Sequence, residues 1–155
     1  MITYQITVEY LGTNFVGWQF QKNGLSIQEV LETALSKYLK ENIRVIGSGR
    51  TDSGVHASEQ SAHFKTKNKI NDTGIFLNAV NFFLKKHPVS ILNIKKRSNN
   101  FHARHSAKER VYKYFIINRP SSLALDKNKA WHIKKKLDVK LKKNCLLYTS
   151  DAADE

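Results

Sequence analysis

The first forty residues change hydrophobic period once, and that change restricts the fold more than any other feature. Ile2, Tyr4, Ile6, Val8 and Tyr10 alternate with Thr3, Gln5, Thr7 and Glu9, the pattern of a strand with one buried face. Ile27, Val30, Leu31, Ala34, Leu35, Tyr38 and Leu39 then recur at helical spacing behind Ser26 and Glu29, which form a capping-box pair. The stripe predicts a helix from Ser26 to about Lys40 that lies on the strand's apolar face. Short strands follow over 43–46 and around Gln60, Ala62 and Phe64. A second helix, capped by Asp72 or Thr73, buries Phe76, Ala79, Val80, Phe83 and Leu84 and stops at His87-Pro88. A strand over 89–94 leads into a basic turn over 95–100. A strand over 110–117 puts Tyr112, Tyr114 and Ile116 on one face, and a short one follows over 131–133. Asp138 could cap a further helix beginning with Val139 and Leu141. The order strand, helix, strand, strand, helix, strand, strand predicts an α+β fold. Its sheet is mixed or largely antiparallel with two helices on one face, akin to a ferredoxin-like (RRM-like) domain. No repeat at a solenoid period is present.

Charge narrows the partner. The 155 residues carry 26 Lys and Arg against 13 Asp and Glu, a net charge of +13. Such an excess favours a polyanion, because each cation placed at a phosphate releases condensed counterions. A hydrophobic fraction of 41% excludes a disordered chain. No apolar run approaches the length of a membrane helix, and no signal-peptide core stands at the N-terminus. The single cysteine, Cys145, has no internal disulfide partner, which points to a reducing cytoplasm.

The chemistry concentrates in Gly47-Ser48-Gly49-Arg50-Thr51-Asp52-Ser53-Gly54-Val55-His56, between two strands. Glycines at this density permit sharp turns and close approach to a ligand. Asp52 is the loop's carboxylate, and as bare sequence it is most simply a turn residue with Arg50 as a surface cation or its partner. The loop lacks the Gly-Lys-Ser/Thr ending of a phosphate loop, and no Gly-x-Ser-x-Gly elbow occurs. The six histidines and one cysteine form no standard zinc spacing. Upstream, Phe15, Trp18 and Phe20 sit in a glycine-punctuated loop, as a lid on the core or a stacking platform for bases; core packing is the expectation. Residues and charge alone lead to an RNA- or DNA-binding α+β domain.

Four blocks extend this reading. Gly49-Arg50-Thr51-Asp52-Ser53-Gly54-Val55-His56-Ala57 resembles the signature of the tRNA pseudouridine synthase A family. Residues 9–19 (Glu-Tyr-Leu-Gly-Thr-Asn-Phe-Val-Gly-Trp-Gln) resemble its first strand and loop. Phe101-His102-Ala103-Arg104 and Arg110-Val111-Tyr112-Lys113-Tyr114 resemble its Phe-His-Ala-Arg and Arg-x-Tyr-x-Tyr blocks, in the same order. Leu11 stands where the family usually has Asp and Ser53 where it usually has Ala; neither removes the carboxylate.

The resemblance implies isomerisation of uridine to pseudouridine at positions thirty-eight to forty of the tRNA anticodon stem-loop, without cofactor or metal. It implies Asp52 as the nucleophile, Tyr112 stacked on the flipped base, and Arg50 at phosphate or in the space the base vacates. His56, His102 and Arg104 become RNA contacts or supports of the two loops. It further implies a cytoplasmic homodimer that binds tRNA and no membrane. The match runs over 1–144, read as the N-terminal catalytic-loop domain of a longer synthase whose C-terminal half is missing. Residues 145–155 are read as a non-native tail, with a genuine acidic tail as the alternative. A non-catalytic module for structured RNA is the competing function.

Overall fold

The alternation at the N-terminus becomes β1 (Ile2–Tyr10), with Tyr4, Ile6, Val8 and Tyr10 buried. The computed structural model describes residues 1–138 of the chain. These divide into two units, one from Met1 to Arg110 and a second beginning at Val111.

In the first unit β1 leads to α1 (Ile27–Leu39), β2 (Val45–Gly47), β3 (Ala57–Thr66), α2 (Thr73–Leu84) and β4 (Val89–Arg97). The sheet order is β2-β3-β1-β4, and every pairing is antiparallel. Both helices bury their stripes in one cluster with the apolar residues of β1, so they cover one face, as the periodicities require. Ser26 caps α1, its Oγ accepting the Glu29 N–H at 3.2 Å; Asp72 caps α2, accepting from Ile75 N–H at 2.8 Å. Lys40 closes α1 in the left-handed region, at φ 54°. Glu32 on α1 accepts the Val45 N–H at 2.9 Å and pairs with Arg44 at 3.0 Å, which fixes where β2 begins.

Two features depart from the expected elements. β4 continues through Lys95 to Arg97, where a basic turn is expected. Arg97 is paired with Thr3 of β1, and its Nε donates to Gln5 Oε1 at 2.7 Å. Backbone pairing here outweighs the turn-like composition of the side chains. β4 also carries one extra residue opposite Thr7 and Val8; this bulge turns Leu92 outward and keeps Ile91 and Ile94 in the core.

The second unit holds β5 (Ile116–Asn118) and β6 (Trp131–Ile133), paired parallel. The strand expected over 110–117 is therefore only its C-terminal end. Val111, Tyr112, Tyr114 and Phe115 are exposed and lie outside any strand. Strand conformation begins only where β6 supplies hydrogen-bond partners, from Phe115 O, which accepts the Trp131 N–H at 2.7 Å. The Asn118 side chain donates to Ile133 O and Lys135 O and accepts from Leu137 N–H. The helix expected from Val139, and the segment 145–155, lie outside the described residues.

Candidate active site

Gly47 to His56 leaves β2 and enters β3, and nearly every part of it is held from below. Ser48 N–H donates to Ser61 O at 2.8 Å. Gly49 O accepts from Gln60 Nε2 at 2.6 Å, and Thr51 Oγ1 shares a 2.8 Å hydrogen bond with the Tyr10 hydroxyl. Burial pushes the Tyr10 phenol above its ordinary pKa, with the Thr51 contact pulling the other way, so the bond is held by a neutral hydroxyl. Val55 N–H closes the turn on Asp52 O at 3.2 Å.

The loop over 11–20 forms the facing wall. Trp18 N–H donates to Thr51 O at 2.9 Å, Ser53 Oγ to Phe15 O at 3.0 Å, and Gly12 N–H to His56 Nδ1 at 2.8 Å. The approach is close enough to exclude side chains. A Cβ on Gly12 would collide with Val55 O, and one on Gly17, at φ +117°, would stand 2.7 Å from Thr51 O. The same wall feeds α1: Gly17 O and Trp18 O accept the Ile27 and Gln28 N–H groups, two donors with no partner inside the helix. Phe15 and Trp18 anchor it, each 3% exposed, as expected of core aromatics. Phe20 does not join them and is 53% exposed. Having entered the core at Trp18, the chain turns Gln19 and Phe20 outward.

Between the walls lies a cleft of about 380 Å³ lined by Val16, Gln19, Phe20, Gln21, Arg50, Thr51, Asp52 and Ser53. Asp52 and Arg50 are both exposed there, and no ion pair joins them among the described residues. It is the Asp52 carbonyl, not its carboxylate, that closes the turn, so the carboxylate oxygens stay available to a ligand.

The remaining expected residues divide. His56 accepts the Gly12 N–H through Nδ1, a contact between the two loops. His102 and Arg104 lie on the segment over 101–106, which docks on β3 through His63: its Nδ1 accepts the Ala103 N–H at 3.1 Å, and Phe101 packs edge-on against its ring. The His102 ring lies between those of His63 and His105, tilted to both, at 4.9 and 4.3 Å between ring centres. Desolvation lowers the His102 pKa, with His105, Arg104 and Lys65 adding to the shift. Arg104 is exposed. Tyr112 belongs to the second unit and is 65% exposed.

Sequence reading missed the supports Tyr10, Gln60, His63 and Arg110. The Arg110 Nη2 donates to Ser48 O at 3.0 Å and lies 3.4 Å from Arg104 O, tying the two loops. One signal was present: a tyrosine at the buried end of an apolar strand needs a partner for its hydroxyl. Among the described residues no three of His, Cys, Asp and Glu gather to hold a metal ion, and no helix is long and apolar enough to cross a membrane.

Comparison with known proteins bears on this cleft directly. Residues 6–106 match a family model described as tRNA pseudouridine synthase. A tRNA pseudouridine synthase A of Pelagibacter ubique is 56% identical over 143 residues, 92% of this chain and 58% of the relative. Proteins of the same name from Ehrlichia canis and Ehrlichia ruminantium are 49% and 47% identical over 137 residues, 88% of this chain and 56% and 55% of theirs. The chain thus spans a little over half the length of these curated relatives. The family match encloses Asp52, the cleft around it and the segment docked on His63, and on that ground the chain belongs to the tRNA pseudouridine synthase family.

Proposed function

We propose that the cleft isomerises uridine to pseudouridine in the anticodon stem-loop of tRNA, at positions 38 to 40, with Asp52 as the nucleophile. The observation that carries this is an exposed carboxylate, with no hydrogen-bond or ion-pair partner among the described residues, on a loop whose neighbours are pinned on both sides. The reaction breaks the bond between uracil N1 and C1′ while the carboxylate engages the sugar. Uracil turns, C5 bonds to C1′, the carboxylate leaves, the C5 proton departs and N1 gains one. Product and substrate are isomers, so nothing external is consumed. The uridine must leave its stack to reach Asp52. Arg50, on the same wall, meets the backbone phosphate or fills the space the base leaves. Stacking of Tyr112 on the flipped base is supported by the resemblance of its block. The +13 charge supports a tRNA partner; a cytoplasmic, homodimeric enzyme follows from the family reading.

The test is single-turnover pseudouridine formation on a tRNA transcript, by the chain joined to the remaining portion of a relative. Asp52→Ala should lower the rate about 10⁴-fold or more while RNA affinity barely changes. Binding without any pseudouridine leaves an RNA-binding module instead, and turnover that survives Asp52→Ala removes Asp52 as the nucleophile.

A further inference from the structure

We propose that Phe20 is a stacking platform for a nucleobase of the RNA strand at the mouth of the Asp52 cleft. The proposal rests on the tRNA reading and adds to it a subsite with its own chemistry. Phe20 lines the same cleft as Asp52 and Arg50 and is half exposed. Burying a phenyl ring contributes about 1.5–3 kcal/mol, so a ring left in water beside a polar cleft is one the fold does not use. Among the described residues no ring or cation lies against it, unlike the exposed Phe82, which Lys85 covers at 4.2 Å.

Its backbone, by contrast, is fixed. Phe20 N–H donates to Gln28 Oε1 at 3.1 Å, and Gln28 Nε2 is itself held by Glu32 Oε1 and Val45 O, each at 3.0 Å. Two residues earlier, Trp18 is buried and bonded through its N–H to Thr51 O, next to Asp52. On the other side, Gln21 Nε2 donates to Val16 O at 3.1 Å. An exposed aromatic on a backbone tied to both α1 and the Asp52 loop is preorganised for a flat partner. In a polynucleotide that partner is a base, since every base presents a π face. Arg50 on the opposite wall supplies the charge that holds the strand's phosphate.

The experiment uses the chain joined to the remaining portion of a relative, and an anticodon stem-loop RNA with 2-aminopurine one nucleotide from the reacting uridine. Fluorescence reports stacking, titration reports affinity, and Asp52-dependent turnover is measured in parallel. Phe20→Leu, which keeps bulk but has no π face, and Phe20→Ala should each weaken binding roughly 5- to 100-fold and abolish the quench. Phe20→Trp should retain both, and the thermal midpoints of all three should match the parent. Parent protein that binds and turns over tRNA, with Phe20→Leu indistinguishable from it, overturns the platform alone. Parent protein that binds no RNA overturns the tRNA reading and the platform together.

Discussion

His63 shows how one buried side chain couples the sheet to a loop. Its ring is 2% exposed on β3, and its Nδ1 must carry a lone pair to accept the Ala103 N–H. Burial is the main cause that lowers its pKa below 6.5; His102 and Lys65 add to the shift, and a hydrogen bond to the Ile46 backbone opposes it. The folded state therefore favours neutral imidazole. The stability this contributes is complete above pH 6.5 and is lost as pH falls through the depressed folded value, because there the unfolded chain binds the extra proton. His102, lowered for similar reasons, contributes with the same sign. Urea midpoints measured between pH 7.5 and 5 should fall with acid. His63→Asn, which keeps an acceptor near the Nδ1 position but cannot titrate there, should flatten most of that slope. An unchanged slope would show that protonation of His63 is not what loosens the 101–106 segment.

At the scale of elements, the site is two loops clamped between β1, α1 and β3, and Gly17 is one of the two points where they come too close for a side chain. Gly17→Ala meets both a positive φ and the Thr51 carbonyl, so it should cost about 1–3 kcal/mol and displace the loop bearing Asp52. Displacements near 1 Å can cost about 10²-fold in rate, so turnover should fall further than the urea midpoint suggests. Gly54→Ala is the control: its φ is +81°, but nothing lies within 4 Å of the added Cβ. Equal losses in the two variants would exclude loop displacement as the cause. The helices and the central strands were legible in the sequence, because their stripes and the caps Ser26 and Asp72 are local signals. So was the loop, whose glycines and carboxylate stand together. The clamps were not. Tyr10 to Thr51, Gly12 to His56, Ala103 to His63 and Arg110 to Ser48 each join residues 40 or more apart, a distance over which periodicity carries no information. The expected strand over 110–117 fails for a related reason: alternation marks a segment able to pair, but only a partner strand makes it do so.

For the molecule as a whole, the net charge of +13 makes a prediction that neither the carboxylate nor the aromatic ring can make. The face of the first sheet opposite the helices carries Lys65, Lys95 and Arg97. Lys65 and Arg97 flank Thr3 across β1, and Lys95 stands opposite Gln5. Arg97 is engaged with Gln5 Oε1 and lies 5.3 Å over the Phe101 ring, which leaves the two lysines, both exposed, as the cations most available to phosphate. Each phosphate neutralised contributes roughly −0.7 to −0.9 to the slope of log affinity against log salt. Lys65→Gln with Lys95→Gln should therefore flatten that slope by about 1.5, and do so equally for cognate and unrelated structured RNA, since phosphates carry no sequence. Phe20→Leu should lower affinity and leave the slope alone, because stacking releases no counterions. A double lysine variant whose slope matches the parent would move the RNA backbone off this face and leave the cleft wall at Arg50 to carry the phosphate contacts.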